Sequence, residues 1–284
     1  MNVHALALLL VTLVWGATFP VLKVATASLS GVETSALRFV IAAVCLCPWA
    51  WRASRRAWTD GAVLGALVLV SYIAQAYGLQ TISSNRSAFL TSLNVLMVPL
   101  LGLAFGNAWS WRVVQASVLA CAGIALLSWE GGSNLAADAA TVFGAAGYAL
   151  YVIVLSQRAG RHPARALAAT QTAWMALLGS LWMLANAVNT DLLQTLPARL
   201  SPEILAGLAY LGVVATAGML FLQAVAQRHV SADKAAVIYA MEPVFAALFA
   251  WWWLAEALTV VAAIGGAMVV VAVVWSEWRA PPPA

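Results

Sequence analysis

The sequence predicts an all-α polytopic membrane protein: ten transmembrane helices, built as two inverted five-helix repeats. Composition is the first reason. Of 284 residues, 64% are hydrophobic and 8% charged, with mean hydropathy +0.91, whereas a soluble domain is about 45–50% apolar and about 25% charged. The second is segment length, since the apolar residues fall in runs near the ~20 residues that cross a ~30 Å hydrocarbon layer as a helix. The third is a weak internal match between the two halves.

A soluble fold needs a polar outer face, and this composition cannot supply one; lipid tails must act as solvent for that face. The ten runs are 3–24, 33–51, 61–80, 86–105, 111–128, 140–157, 166–186, 203–226, 234–254 and 259–276. The longest connections, Trp129–Ala139 and Ala187–Pro202, are too short for another domain. The first run lacks a basic leader and is too long for a signal-peptide core, so it is expected to stay as a span. Pro281, Pro282 and Pro283 cannot continue a helix. Cys45, Cys47 and Cys121 all lie in apolar runs and are expected to be packing residues, not a disulfide framework or metal clasp.

Lys and Arg mark the cytoplasmic side of a membrane protein. With the N-terminus inside, the inner connections hold Arg52, Arg55, Arg56, Arg112, Arg158, Arg161, Arg165, Arg228, Lys234 and Arg279. The outer side holds Lys23, Arg38, Arg86 and Arg199, and is acidic at Glu130, Asp138, Asp191, Glu203 and Glu256. The expected location is a cell inner (plasma) membrane, multi-pass, with both termini cytoplasmic. The net charge of +4 is read as this orientation signal; no nucleic-acid partner is expected.

Shifting the chain by 148 residues places Gln75-Ala76 on Gln223-Ala224, Ala88 on Ala236, Leu100 on Leu248, Arg86 on Lys234 and Asn94 on Glu242. The shift carries the third run onto the eighth and the fourth onto the ninth. The expected organisation is a first repeat over 1–129, an outer linker at 130–139 and a second repeat over 140–284. Five spans per half force opposite orientations, the plan of many secondary transporters, whose substrate site lies near midplane between the halves.

Polar side chains inside a span are costly and tend to face the protein interior or a wet cavity. Helical spacing groups them into stripes: Thr12, Trp15, Phe19 and Lys23 on the first run, Tyr72 and Gln75 on the third, Ser87, Thr91 and Asn94 on the fourth. The later runs give Tyr148 and Tyr151, then Thr216, Gln223 and Gln227, then Tyr239 and Glu242. These stripes are expected to line a central path, with packing as the alternative for each. Substrate contact is assigned to Thr12, Trp15, Phe19, Tyr72, Gln75, Thr91, Asn94, Tyr148, Tyr151, Thr216, Gln223 and Tyr239. Glu242 is the acid deepest in a run. It is either a proton or cation site, or a structural acid that serves the carbonyl left without a donor by Pro243.

Gly61/Gly65, Gly102/Gly106 and Gly265-Gly266 suit close helix contacts, and Trp251-Trp252-Trp253 suits an interfacial aromatic belt. There is no carboxylate pair, metal-ligand cluster or phosphate-binding loop. No catalytic residue, metal or cofactor is expected; the partners are a small-molecule substrate and membrane lipid.

Met241-Glu242-Pro243-Val244-Phe245-Ala246-Ala247-Leu248, with Leu254-Ala255-Glu256-Ala257-Leu258-Thr259 and Gly265-Gly266, resembles the end-of-repeat pattern of the EamA family of drug/metabolite transporters. Trp15-Gly16-Ala17-Thr18-Phe19 with Lys23 resembles the family's opening helix, and Arg38 also fits. The resemblance covers both halves. The first half departs from it, with Asn94-Val95 where Glu-Pro is usual and Asn107-Ala108 where the next Glu is expected. The resemblance implies export or exchange of small metabolites through a cavity between the repeats, and its aromatic amino-acid exporter branch is preferred. The expected function is amino-acid export by alternating access. Alternatives are transport of a drug, a sugar nucleotide or a purine, and, from another class, an intramembrane enzyme or structural subunit.

Overall fold

The computed structural model describes residues 3–107, 109–128, 134–187, 192–254 and 259–277. Every regular element among them is helical. In chain order they are α1 (Val3–Gly16), α2 (Thr18–Ser28), α3 (Gly31–Trp51), α4 (Arg55–Leu79), α5 (Ser84–Ser92), α6 (Asn94–Ala104), α7 (Trp111–Ser128) and α8 (Leu135–Arg158). Then come α9 (Ala164–Ala187), α10 (Leu192–Arg199), α11 (Pro202–Ala209), a π-helical stretch (Tyr210–Gly218), α12 (Met219–Ala226), α13 (Ala232–Tyr239), α14 (Glu242–Leu254) and α15 (Val260–Glu277).

Seven of these segments, some joining two elements, are long and apolar enough to cross a membrane. Trp111–Leu127 and Val260–Ser276 are shorter apolar helices. The run expected at 234–254 is divided between α13 and α14. The chain is a multi-pass membrane protein.

Local chemistry sets the helix starts. Ser30, Ser54, Ser83, Asn134 and Ser201 each accept a backbone N–H three residues on, so exposed donors of the first turn are satisfied. At α3 the cap is reciprocal: Glu33 Oε2 accepts from the Ser30 N–H at 2.6 Å. Arg199, at the end of α10, reaches that same carboxylate with both terminal nitrogens at 3.0 Å. Asp60 near the start of α4 takes Arg158 at 2.9 Å and His162 at 2.8 Å, clamping the end of α8 to α4. Gly106 has φ +83, a conformation glycine adopts freely, and turns the chain after α6.

In lipid there is no hydrophobic drive between helices, so small residues and interhelical hydrogen bonds hold the bundle. Thr170 Oγ1 donates to Ala57 O at 2.9 Å and Trp174 Nε1 to Trp58 O at 3.1 Å, joining α9 to α4. Gly123 and Gly265 face each other where α7 crosses α15. Cys45 and Cys47 are exposed on α3 and Cys121 is half-buried. The first two therefore face outward on an apolar helix, not the packing positions expected of them. Asp138 is also displaced from its expected loop: it sits in the first turn of α8 and forms an ion pair with Arg86 at 2.6 Å.

Arg38 is the main correction to the charge reading. It was expected among the outer connections. It lies well inside α3 and is 4% exposed, so it is an intramembrane charge and not an orientation signal.

Candidate functional site

Three of the long helices are interrupted. α1 and α2 are separated at Ala17, α5 and α6 at Leu93, and α13 and α14 at Ala240 and Met241. Two of the breaks have a proline in the first turn of the following helix, Pro20 in α2 and Pro243 in α14. A proline lacks the N–H that would bond the carbonyl four residues back, and its ring crowds that carbonyl.

Backbone groups freed inside a bilayer need other partners. At the α1–α2 break, the Tyr210 hydroxyl donates to Val14 O at 3.0 Å and Thr18 Oγ1 donates to Trp15 O at 2.7 Å. At the α5–α6 break, Asn94 Nδ2 donates to Thr91 O at 2.9 Å. α11 runs on through the π-helical stretch, where Thr216 Oγ1 donates to Leu211 O at 2.7 Å and Ala215 O accepts from Trp15 Nε1 at 2.8 Å.

The interruptions surround one cavity. Its walls are Trp15, Thr18, Arg38, Ser71, Tyr72, Gln75, Thr91, Asn94, Tyr148 and Glu242. Thr18, Asn94 and Glu242 are the first residues of α2, α6 and α14. The cavity's free space is about 30 Å³, room for about one or two waters. Gln75 Nε2 donates to Thr91 Oγ1 at 3.4 Å across the wall. Glu242 lines the cavity, and its carboxylate accepts no hydrogen bond among the described residues.

Of the residues assigned to substrate contact, Trp15, Tyr72, Gln75, Thr91, Asn94 and Tyr148 are brought to this cavity, with Glu242. The others lie outside its wall. Thr12 bonds Leu9 O within α1 at 2.8 Å. Phe19 is buried with Leu22, Leu79, Ala88 and Leu211. Thr216 accepts from Arg38 Nε at 3.0 Å.

Tyr151, Gln223 and Tyr239 form a second layer. The Tyr151 hydroxyl stands 3.3 Å from both Gln171 Oε1 and Gln223 Oε1, either of which can accept its one proton, and Gln223 Nε2 donates to the Tyr148 hydroxyl at 3.1 Å. Tyr239 packs its ring against Tyr148 and Trp15, with centroids 6.0 and 5.8 Å apart. One turn beyond Gln223, Gln227 donates to Val152 O and lines an open hollow of about 560 Å³, shared with Asn107, Asp233 and Lys234. The tyrosine–glutamine layer thus runs from the small cavity toward the large hollow.

Thr18, Arg38 and Ser71 are cavity residues absent from the substrate-contact assignment. For Arg38 the signal was present: an arginine seven residues after Gly31, inside a membrane-spanning helix, is a functional candidate on cost alone.

The EamA-like transporter family matches residues 3–129 and 135–277, the two halves separately. An uncharacterized transporter of Archaeoglobus fulgidus is 30% identical over 95% of this chain and 84% of its own. A second uncharacterized transporter of that organism is 24% identical over 94% of this chain and 95% of its own. A crystal structure shares the fold at TM-score 0.78 and 17% identity, covering 97% of this chain and 96% of its own.

Proposed function

The chain belongs to the EamA-like transporter family, and from that premise we propose that it exports amino acids, aromatic ones favoured, by alternating access through the central cavity. The observation that carries this reading is the cavity wall, in which Trp15, Tyr72 and Tyr148 stand beside the amides of Gln75 and Asn94. Rings offer apolar area while the amides offer directed hydrogen bonds, a combination suited to a small solute with both characters. A cavity with one arginine and one glutamate is not the sharply acidic site that a cationic drug would favour.

Ten spans in two inverted repeats are part of this reading. Helix pairing supports them. α4 packs on α8 and α12 on α1; α6 packs on α8 and α14 on α1; α3 packs on α9 and α7 on α15. Each contact recurs, or maps onto itself, when the halves are exchanged. The breaks at Leu93 and Met241 also stand at equivalent places, as do Asn94 and Glu242.

An amino acid occupies several times the free space present, so this conformation must widen toward one side to admit it. The breaks supply hinge points, and the Tyr148–Gln223–Tyr151 layer is the closed gate toward the large hollow, which bears Arg228 and Lys234 and is assigned to the cytoplasmic side.

The deciding experiment is flux from liposomes holding purified protein and a panel of amino acids, with and without a pH gradient. Exchange of phenylalanine, tyrosine or tryptophan is the expected result. Transport of a nucleotide-type metabolite or drug with no amino-acid flux would overturn the reading.

Two further outcomes are expected. With the native cysteines replaced, Ser54→Cys and Ser133→Cys should be labelled by an impermeant reagent from opposite sides, Ser133 outside; Ser133 lies outside the described residues. Same-side labelling would end the ten-span arrangement. Second, Glu242→Gln should retain appreciable substrate exchange when substrate is present on both sides, because the amide keeps donor and acceptor atoms and the cavity wall holds no second acid among the described residues to relay a proton. A pH-driven wild-type flux that the variant loses, with substrate binding intact, would make Glu242 a proton carrier.

A further inference from the structure

Among the described residues, Arg38 is the one arginine in the cavity wall. Its Nε–H is spent on Thr216 Oγ1 at 3.0 Å. Its guanidinium carbon lies 4.9 Å from the centroid of Tyr72 and 5.7 Å from that of Phe39. These rings are themselves stacked, with centroids 5.6 Å apart. The stack and the Thr216 bond fix the plane of the guanidinium. None of the ion pairs among the described residues involves it.

A guanidinium 4% exposed, inside a bilayer and in none of the ion pairs among the described residues, costs several kcal/mol; the acid of the same wall, Glu242, is not paired with it. The guanidinium's fixed fork of donors matches a carboxylate bidentately.

A second observation points the same way. Thr18 and Asn94 bring the starts of α2 and α6 to the same cavity, where the start of α14 carries the Glu242 carboxylate. A helix start carries partial positive charge, and interrupted helices in transporters aim such starts at anionic substrate groups. The opposing helix ends are partly neutralised within the fold, because Tyr210, Thr18 and Asn94 already donate to Val14 O, Trp15 O and Thr91 O.

We propose that Arg38 is the seat for the substrate's carboxylate, so that the transporter accepts α-amino acids and organic acids and rejects the corresponding amines. This rests on the transport reading above but is separable from it.

The test uses three probes that differ by one group: phenylalanine, phenethylamine, which lacks the carboxylate, and 3-phenylpropionate, which lacks the amine. Binding is measured by thermal stabilisation of purified full-length protein in detergent, and transport by competition in liposomes. In the wild type, phenylalanine and 3-phenylpropionate should bind and phenethylamine should bind at least tenfold more weakly. Arg38→Gln should lose the two acids by at least tenfold and leave phenethylamine unchanged; Arg38→Lys should be intermediate. Thr216→Val, which removes the bond that orients Arg38 together with the hydroxyl's bond to Leu211 O, should retain preference for the acids at reduced affinity.

Equal binding of all three probes by the wild type, no binding of either acid, or acid binding that survives Arg38→Gln overturns the seat. The wild-type comparison decides even where Arg38→Gln fails to fold. If phenylalanine is not exchanged while 3-phenylpropionate binding still depends on Arg38, the amino-acid reading falls and the carboxylate seat stands.

Discussion

Asn94→Leu is expected to lower substrate exchange by roughly 5- to 150-fold, the equivalent of about 1–3 kcal/mol. Asn94 serves two functions. Its Nδ2 occupies the Thr91 carbonyl left open by the break at Leu93, and its side chain forms part of the cavity wall. Leucine removes the donor from a buried carbonyl and replaces a polar wall with methyl groups. On the proposed reading one change removes a substrate hydrogen bond and loosens the α5–α6 junction. Leu100, exposed on the same α6 helix, is the control: Leu100→Val should leave flux near wild type. The comparison is made in liposomes at matched protein levels. Wild-type flux and affinity for Asn94→Leu would reduce the residue to packing.

The largest effect on the fold itself is expected from Gly16→Val. Gly16 ends α1 where that helix crosses α14. A Cβ there would lie 2.8 Å from the Phe245 Cβ, 2.9 Å from the Ala246 nitrogen and 3.0 Å from the Glu242 carbonyl oxygen. Two of these are backbone atoms, which no rotamer change can move. The helices must separate, and overpacking of this kind costs about 1–3 kcal/mol or more. The melting temperature in detergent should fall by about 5 °C, and exchange should fall with it because Trp15, Thr18 and Glu242 border the crossing. Gly160→Ala, with nothing within 4 Å of its Cβ, should melt like the wild type. Equal melting of the two variants would show that the α1–α14 crossing is looser than drawn.

The same junctions explain how far the sequence could be read. Run length and composition give the membrane class directly, because the cost of exposing charge to lipid does not depend on tertiary detail. Side-chain direction was read from a regular 3.6-residue turn, and that holds only while the helix is continuous. Trp15 and Phe19 appear on one stripe, but the break at Ala17 falls between them, and Phe19 turns into a packing cluster. Tyr239 and Glu242 appear to share a face, but Ala240 and Met241 intervene, so Glu242 reaches the cavity and Tyr239 joins the layer beside it. Thr216 sits in a π-helical stretch whose wider turn shifts its direction away from Gln223. Pro243 announced one break; Leu93, with no proline in the turn that follows it, announced nothing. Arg38 was missed for a different reason. It falls within the 33–51 run but near its outer end, and a basic residue there was counted with the outer charges.

The smallness of the cavity bears on the cell as well as on the cargo. Protons and alkali ions cross a bilayer through unbroken files of water. A space for about one or two waters, backed by the rings of Trp15, Tyr148 and Tyr239, leaves little room for such a file. On the proposed reading, a transporter in this shape offers ions a poor path, so that it adds a route for its solute with little drain on the gradients that other proteins depend on.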